Sequence, residues 1–448
     1  MDKFSAIFKA YDVRGVYPDQ LDEAMSHRIG EAYAAVRQPK KVAVGQDVRS
    51  SGAGLKKELI SALVAAGVDV VDIGIITTDQ LYFAVGNYKL DGGVSVTASH
   101  NPGEYNGFKF ADTDGAPMLT EDLGAMRDWA ASGNKVVPSA TKGNVSELNL
   151  IDDYVAHVLS YIDAKQIKPL RLVVNANFGA VGRGVDKIAS HLGLELERLN
   201  WQENGTFPKG PPNPLLPESR RETVAAIKSS KPDFGVAWDA DADRVFFFTG
   251  EGEFIPSCYI IALLAPEFLK KQPGAKIVHD VTLRWVVDDA IIAAGGQPVV
   301  NRVGHTFIKG RMRQEDAPFS AESSGHYYFR ESFYADNGLV PFLMILEMVS
   351  KTGKTLSELV APLRSRYSMI DEINFKVEDP AGAIALIEKT LGSEGEISRI
   401  DGITIEAKQW RVNLRPSNTE PLIRLNAEAH DQKTLDEVVK RVLDLINT

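Results

Sequence analysis

The chain has very little cysteine: Cys258 is the one cysteine among 448 residues. An intrachain disulfide is therefore impossible, and a chain of this length can bury a core without one. No apolar run approaches the ~20 residues of a membrane helix. The N-terminal stretch carries charges throughout and has no long apolar segment, so we expect no secretory signal. These absences favour a reducing, cytoplasmic location.

The chain also lacks an excess of positive charge. It has 50 Lys and Arg residues against 60 Asp and Glu residues, a net charge of −10. This balance argues against non-specific nucleic-acid binding, although a local cluster of Arg and Lys can still bind a small anion. The sequence shows no low-complexity segment and no repeat of fixed period. We therefore expect a small-molecule partner, no nucleic acid and no membrane, and a monomer or homodimer.

Short apolar runs that end in polar residues alternate with helical patterns along most of the chain. This alternation predicts α/β units with mostly parallel sheets. Ligands of such sheets bind beyond the carboxyl ends of the strands, where this sequence has its Asp, Asn, Ser and His residues. The predicted strands cover residues 42–47, 94–99, 172–177, 235–240 and 276–281.

Local signals predict helix ends and, less sharply, the boundaries between domains. Gly67 follows a helical pattern as a C-cap glycine, and Thr434 with Glu437 is spaced as a capping box for the last helix. Breaks fall near 131–144, 249–257 and 367–375. The last ~75 residues mix strand and helix patterns, as expected of a small α+β domain.

The acidic stretch "DADADR" lies between two apolar strand patterns. A spacing of two would place Asp239, Asp241 and Asp243 on one side of extended backbone. Three carboxylates so close need a counter-charge, and a hard divalent cation, Mg²⁺ first, suits oxygen ligands. An EF-hand is excluded because its sixth and twelfth positions are Arg244 and Gly250 here. A solvated acidic loop remains the alternative.

Five other stretches carry residue types that suit chemistry, and for each an ordinary turn or strand end is the alternative. Ser99 in "TASHNP" is a candidate nucleophile, and "RPSNTEP" offers donors for a phosphate dianion. "AESSGH" alternates groups that can bind sugar hydroxyls, while "FKAYDVRG" and "VGHTF" add cations and a histidine. Together with the acidic stretch they favour phosphoryl transfer through a phosphoserine. The residues concerned are Ser99, Tyr11, Arg14, His305, Glu322, Ser324, His326, Arg415, Ser417, Asn418 and Thr419.

The order of "TASHNP", "DADADR", "ESSGH" and "RPSNTEP" along the chain resembles the α-D-phosphohexomutase superfamily, and within it the bacterial phosphomannomutase branch, which includes enzymes that are also phosphoglucomutases. The resemblance implies an α/β protein of four domains around a central cleft, three of related mixed α/β topology and a smaller C-terminal α+β domain. The implied segments are 1–150 with the phosphoserine loop, 151–253 with the metal loop, 254–368 with the sugar loop and 369–448 with the phosphate loop.

The resemblance also implies a role for each candidate residue. Ser99 would be phosphorylated and would join the three aspartates, Asp239, Asp241 and Asp243, as a ligand of one Mg²⁺ per chain. His100, Lys109 and Arg244 would lie at the phosphoserine, and His305 would be a proton shuttle. Residues of the sugar loop (322–326), the phosphate loop (415–419) and the N-terminus would bind substrate: Tyr11, Arg14, Glu322, Ser324, His326, Arg415, Ser417, Asn418 and Thr419.

The implied reaction interconverts mannose 1-phosphate and mannose 6-phosphate, with action on glucose phosphates as well. Ser99 would donate its phosphoryl group to form a bound hexose 1,6-bisphosphate, which would also serve as activator. Phosphoglucomutase and phosphoglucosamine mutase remain alternatives, although Ser323 stands where the latter usually has Gln. A serine-dependent metal phosphatase and a sugar-binding module are alternatives from other classes.

Some residues depart from the family pattern. Alanines at 240 and 242 replace glycines in the metal loop, which we expect to be harmless provided that φ stays negative at both. Ala321 replaces a glycine before the sugar loop. None of these changes removes a ligand-bearing residue.

Overall fold

The computed structural model describes residues 3–282, 284–370, 372–416 and 422–446. The chain packs as two compact units. The first comprises Met1–Ile255 and Ser324–Leu356, and the second comprises Pro256–Ser323 and Ser357–Thr448. Within the described ranges, no helix combines the length and apolarity that crossing a bilayer requires.

The first part of the chain alternates helices and strands, as the sequence pattern predicts. Its elements are α1 Lys3–Ile7, β1 Val13–Val16, α2 Glu23–Arg37, β2 Lys41–Gln46, α3 Gly52–Ala65, β3 Asp69–Ile75, α4 Thr78–Asn87, β4 Gly92–Val96, β5 Tyr105–Asp112, β6 Ala116–Pro117, α5 Thr120–Ala131 and β7 Val145–Glu147.

These strands form one mixed sheet in the order β1-β5-β4-β2-β3-β7, with β6 paired to β5. Strands β4, β2, β3 and β7 are parallel, whereas β5 runs antiparallel to β4 and β1. Gln46 at the end of β2 is paired with Val96 at the end of β4. The loops that follow these two strands therefore leave the sheet side by side, and both carry polar residues.

Helix α3 shows why the local prediction succeeded. Its apolar face buries Leu55, Leu59 and Leu63 completely, and this face recurs at the helical period. Gly67 adopts a φ of +89° just beyond the helix, which is the left-handed conformation of a C-cap glycine. The predicted helix and its C-cap are therefore confirmed.

The next segment builds a second sheet of the first unit in the order β12-β11-β10-β8-β9. Its two central hairpin strands are buried along their whole length and meet at Trp238 and Val245. The acidic stretch is therefore the connection between two core strands. The elements are α6 Ile151–Leu159, β8 Arg171–Asn175, α7 Val181–Leu192, β9 Glu195–Leu199, α8 Pro217–Ser230, β10 Phe234–Trp238, β11 Val245–Thr249 and β12 Phe254–Ile255.

The following segment contributes to both units. In the second unit three parallel strands take the order β14-β13-β15, while β16, β17 and α12 belong to the first unit. The elements are α9 Ser257–Lys271, β13 Lys276–Asp280, α10 Trp285–Ala293, β14 Gln297–Asn301, α11 His305–Gln314, β15 Phe319–Ala321, β16 Tyr327–Phe329, β17 Ala335–Asp336, α12 Leu339–Thr352 and α13 Leu356–Arg364.

The last segment, in the second unit, is an antiparallel sheet with helices packed on it, as predicted for a small α+β domain. Its strands follow the order β18-β23-β22-β21-β20, with β19 also paired to β23. The elements are β18 Ser368–Met369, β19 Ile373–Lys376, α14 Pro380–Leu391, β20 Gly395–Ser398, β21 Ile403–Ala407, β22 Trp410–Pro416, β23 Leu422–Ala429 and α15 Gln432–Ile446.

The predicted capping box of the last helix is wrong. Helix α15 begins at Gln432, and the carboxylate of Asp431 accepts hydrogen bonds from the Thr434 backbone N at 2.9 Å and from its hydroxyl at 2.8 Å. An aspartate three residues before Thr434 satisfies the free N–H groups at this end. Thr434 thus lies inside the first turn instead of capping it.

Candidate active site

Ser99 lies just beyond β4, in a sharp turn of the serine loop (residues 97–105). It is 4% exposed and has a φ of +48°, a left-handed conformation that costs a non-glycine residue about 1–2 kcal/mol. Its hydroxyl donates a hydrogen bond to Asp239 Oδ2 at 3.0 Å and lies 3.3 Å from His100 Nδ1. The fold therefore brings the candidate nucleophile directly against the first aspartate of the acidic stretch.

Arg49, which was not among the predicted site residues, holds the serine loop in place. Its side chain is 1% exposed, and its guanidinium donates to four carbonyl oxygens of that loop. These are the carbonyls of Ser99 at 2.7 Å, Asn101 at 2.6 Å, Pro102 at 2.6 Å and Tyr105 at 2.8 Å. A planar, charged fork of donors suits several acceptors at once.

Two further polar residues complete the support of the loop. Asp47 pairs with Arg49 at 3.1 Å and accepts a hydrogen bond from the Thr97 hydroxyl at 2.7 Å. The Thr97 hydroxyl in turn accepts a hydrogen bond from the Ser99 backbone N at 2.9 Å. The signal in the sequence was "GQDVR", a charged pair directly after the strand that neighbours the serine strand. The function of this charged pair follows only from the position of β4 beside β2, because β4 leads into the serine loop that the pair supports.

The three aspartates converge as predicted, but not on extended backbone. They are buried, and three of their oxygen atoms lie within 4.8 Å of one another. The backbone between them forms a turn, closed by a hydrogen bond from Ala242 N to Asp239 O at 3.2 Å. Ala242 has a φ of +54°, so the condition of a negative φ, under which alanine was expected to be harmless, is not met at that position.

Two cations compensate the aspartates. The Lys109 ammonium contacts Asp241 at 2.7 Å and also contacts Asp243, and Arg244 donates to Asp239 Oδ2 at 2.9 and 2.8 Å. The Thr78 hydroxyl, which the sequence analysis missed, donates to Asp241 at 2.6 Å. The three carboxylates outnumber these two cations, so the net charge of the cluster is negative and favours the binding of a further cation.

Electrostatics set the protonation of these groups. Burial acts to raise the pKa of Asp241, but the charge of Lys109 and its hydrogen bond outweigh burial, and that pKa is lowered. Burial and then the neighbouring charges of Arg244 and Arg14 lower the pKa of His100 well below its usual value. The imidazole beside Ser99 is therefore neutral near pH 7.

Two buried carboxylate oxygens provide a test of whether the site fits a cation. Within the described ranges, Asp241 Oδ1 and Asp243 Oδ1 are buried without a hydrogen-bond partner. Such oxygens cost free energy unless something binds them. Oxygen ligands and net negative charge are what a hard divalent cation requires. The residues present therefore fit a metal ion.

Arg14 and His326, two other candidates of the first unit, contact this site. Arg14 donates to the Thr97 carbonyl of the serine loop at 2.6 Å, and Tyr11 is half-buried in the segment before it. His326 Nε2 lies 3.6 Å from Asp243 Oδ1, and its Nδ1 lies 2.8 Å from the Ser324 hydroxyl. The N-terminal segment thus reaches the serine loop, and the end of the sugar loop reaches the acidic cluster.

The remaining candidates lie in the second unit. Glu322 is 1% exposed and accepts a hydrogen bond from Gly304 N at 2.7 Å, next to His305 at the start of α11. Arg415 pairs with Glu372 at 2.6 Å. The other predicted residues of the phosphate loop, Ser417, Asn418 and Thr419, lie outside the described residues.

Comparison with known families assigns almost the whole chain. Four models described as phosphoglucomutase/phosphomannomutase match it in order: alpha/beta/alpha domains I, II and III at residues 5–134, 152–252 and 257–367, and the C-terminal domain at 372–445. The prediction of three α/β domains followed by a C-terminal α+β domain is confirmed.

Curated relatives and solved structures agree. Phosphohexose mutases of Xanthomonas campestris are 44% identical over 432 residues, 96% of each chain, and a phosphomannomutase of Escherichia coli K12 is 44% identical over 446 residues, 97% of each. A phosphoglucomutase/phosphomannomutase family protein from Burkholderia thailandensis superposes with a TM-score of 0.88 at 30% identity, covering 100% of this chain and 98% of its own.

A putative phosphomannomutase from Thermus thermophilus shares the fold, with a TM-score of 0.84 at 24% identity, covering 98% of this chain and 99% of its own. The predicted mutase class, an isomerase, is confirmed by the relatives. The chain belongs to the phosphoglucomutase/phosphomannomutase family.

Proposed function

We propose that the protein interconverts mannose 1-phosphate and mannose 6-phosphate through phosphorylated Ser99 and a bound hexose 1,6-bisphosphate, and that it also acts on glucose phosphates. The observation that carries the proposal is the contact between Ser99 Oγ and Asp239 Oδ2 at 3.0 Å. A serine that served only to form a turn would not need its hydroxyl buried against a carboxylate cluster. It suits a group that accepts and returns a phosphoryl group beside a cation.

The residues around Ser99 have complementary roles in this reaction. Asp239 orients the hydroxyl, while Arg244 and Lys109 lie where negative charge moves during transfer and stabilise it. Asp239, Asp241, Asp243 and an oxygen of Ser99 would hold Mg²⁺. The ion would supply charge neutralisation and polarisation of the phosphoryl oxygens.

The substrate contacts are assigned to the two loops and the N-terminal segment. Glu322, Ser324 and His326 would bind the sugar hydroxyls. Arg415, with Ser417, Asn418 and Thr419, would bind the phosphate that is not transferred, and Tyr11 and Arg14 would complete the site. His305 would carry a proton to or from the sugar hydroxyl, while neutral His100 would orient Ser99. These roles follow the family resemblance and the residue chemistry.

The proposal includes the organisation of the whole protein. The bisphosphate would turn around between two transfers, and added hexose 1,6-bisphosphate would rephosphorylate an enzyme that had lost its phosphate. The segments 1–150, 151–253, 254–368 and 369–448 would each contribute one loop. We further propose a cytoplasmic enzyme that is a monomer or homodimer.

The test measures how much mannose 1-phosphate is converted to mannose 6-phosphate and how much to free phosphate. With Mg²⁺ and a trace of glucose 1,6-bisphosphate, mannose 1-phosphate should yield mannose 6-phosphate with little free phosphate. Ser99→Ala should reduce this activity at least ~10³-fold, because it removes the oxygen that carries the phosphoryl group. Asp241→Asn should reduce it about 10²-fold or more, because it removes negative charge that would hold the cation. Asp153→Asn, on the exposed face of α6, is the control and should match the unaltered protein.

Free phosphate as the main product would contradict the mutase proposal and favour the phosphatase alternative. Parallel assays with glucose and glucosamine phosphates rank the substrates. Glucosamine phosphate as the best substrate would contradict the proposed specificity. Full activity of Ser99→Ala would contradict the assignment of the nucleophile.

A further inference from the structure

Thr78, the first residue of α4, holds Asp241 of the metal loop (residues 239–243) at two points. Thr78 is fully buried, and both residues belong to the first unit. Its hydroxyl donates a hydrogen bond to Asp241 Oδ2 at 2.6 Å, and its backbone N donates to the carbonyl oxygen of Asp241 at 2.8 Å. The hydroxyl therefore acts on the carboxylate, whereas the backbone contact acts on the loop.

The two carboxylate oxygens of Asp241 have different surroundings. Oδ2 accepts hydrogen bonds from the Thr78 hydroxyl and from the Lys109 ammonium, the latter at 2.7 Å. Among the residues that the structure describes, Oδ1 of Asp241 is buried and has no hydrogen-bond partner. Because the two oxygens of a carboxylate are fixed relative to each other, donors that hold Oδ2 also set the direction of Oδ1. The donors thus occupy one oxygen and leave the other available to a cation.

The backbone of the metal loop is held independently of the Thr78 hydroxyl. Two glycines of the first unit lie so close to it that neither could carry a side chain without displacing the loop. A Cβ at Gly179 would lie 2.2 Å from the carbonyl oxygen of Ala240, and a Cβ at Gly338 would lie 2.4 Å from that of Ala242. Removal of the Thr78 hydroxyl should therefore release the carboxylate of the middle aspartate while the loop itself stays in place.

We propose that Thr78 is a positioning residue of the cation site, whose hydroxyl holds the Asp241 carboxylate in the orientation that leaves Oδ1 available to the bound ion. This inference rests on the proposed function, in which the three aspartates hold Mg²⁺. A residue that hydrogen-bonds a metal ligand fixes the orientation of that ligand, and its replacement typically reduces metal affinity about 10–100-fold. Thr78 would therefore set the affinity for the cation without touching the cation or the substrate.

The main test measures Mn²⁺ binding to the full-length, dephosphorylated protein. Mn²⁺ prefers the same oxygen ligands as Mg²⁺, and electron paramagnetic resonance detects it directly. Thr78→Val removes the hydroxyl but keeps the branched shape and the backbone N–H, so the dissociation constant for Mn²⁺ should rise about tenfold or more. Thr78→Ser retains the hydroxyl and should bind Mn²⁺ as the unaltered protein does.

A matched control and a second measurement separate positioning from a general loss of stability. Thr249 is also a fully buried threonine of the first unit, and its hydroxyl accepts hydrogen bonds from the backbone N of Glu251 at 3.3 Å and of Glu253 at 3.2 Å. Thr249→Val should leave the affinity for Mn²⁺ unchanged. In turnover assays of Thr78→Val, the Mg²⁺ concentration for half-maximal rate should rise about tenfold, and saturating Mg²⁺ should restore most of kcat.

The outcomes separate this inference from the proposed function. Weaker Mn²⁺ binding by Thr78→Val, restored in Thr78→Ser, supports the inference. Thr78→Ala, which is smaller and keeps the same backbone contact, takes the place of Thr78→Val if that variant does not fold. An unchanged Mn²⁺ affinity overturns the inference, and so does an equal loss in Thr249→Val. If the unaltered protein binds no Mn²⁺, the cation site and the inference are both wrong, whereas Mn²⁺ binding without conversion of mannose 1-phosphate contradicts the proposed function alone.

Discussion

Two residues of the site have a backbone conformation that their side chains disfavour. Ser99 and Ala242 both have a left-handed φ, at +48° and +54°. Such positions persist only where the surroundings hold them, and they concentrate at functional sites. At Ser99 the holding contacts are visible: Thr97 binds its backbone N and Arg49 binds its carbonyl. The strain therefore accompanies the placement of the hydroxyl beside Asp239.

This strain predicts a difference between two inactive variants of Ser99. Ser99→Gly should be more stable than Ser99→Ala by about 1 kcal/mol, because glycine adopts the left-handed conformation without steric cost. Urea unfolding of both variants measures the difference. At Ala98, which is buried without a positive φ, the change to glycine should instead destabilise the protein. A Ser99→Ala variant as stable as Ser99→Gly would contradict the argument.

At the scale of elements, local sequence patterns correctly predicted those features that depend on a few neighbouring residues, such as a helix face or a helix end. The apolar face of α3 and its glycine C-cap were predicted because both are encoded within one helix. The start of α15 was predicted wrongly because two capping patterns overlap, and the aspartate at 431 competes successfully with Thr434. Arg49 was missed because its partners belong to a loop fifty residues away in the sequence.

The serine loop as an element should depend on Arg49. Arg49→Lys keeps the positive charge but offers a single ammonium to four carbonyls, so we expect phosphorylation of Ser99 by hexose 1,6-bisphosphate to slow about 10–100-fold. Mass spectrometry of the intact protein follows this reaction. Arg183→Lys is the control, because Arg183 is an exposed arginine that forms an ion pair with Glu203. An unchanged phosphorylation rate for Arg49→Lys would show that the loop holds its shape without the guanidinium.

At the scale of the whole molecule, Asp79 connects distant parts of the first unit. It is 3% exposed on α4, and its carboxylate accepts hydrogen bonds from Thr77 and from Tyr154 on α6. Tyr154 in turn accepts a hydrogen bond from Asn337 at 3.2 Å. Burial raises the pKa of Asp79 to about 7 despite these hydrogen bonds. The carboxyl therefore favours its protonated form in the folded state.

A raised carboxyl pKa has a definite sign for stability. The folded state binds the proton more tightly than the unfolded state, so the contribution of Asp79 is most favourable below about pH 4 and is lost as pH rises to about 7. Asp79→Asn should be more stable than the unaltered protein at pH 8, by about 2 kcal/mol, and should flatten this part of the pH profile.

Unfolding by urea at pH 5 and pH 8 measures the effect of Asp79→Asn. Asp153→Asn, an exposed partner of Tyr88, should leave the profile unchanged. Equal destabilisation of the folded state by Asp79→Asn at pH 5 and at pH 8 would contradict the prediction. It would mean that the ionised carboxylate is the form that the fold stabilises.

The sequence by itself determined the alternation of strands and helices, the polar residues at strand ends and the chemistry of the acidic triplet. These properties depend on residue types and spacings within short segments, and the order of four motifs was enough to indicate the family. The tertiary structure decided which of those residues meet. Ser99 and Asp239 are 140 residues apart and touch because the loops that follow β4 and β10 meet within the first unit. Contacts over such distances depend on strand order and packing, which no single motif contains.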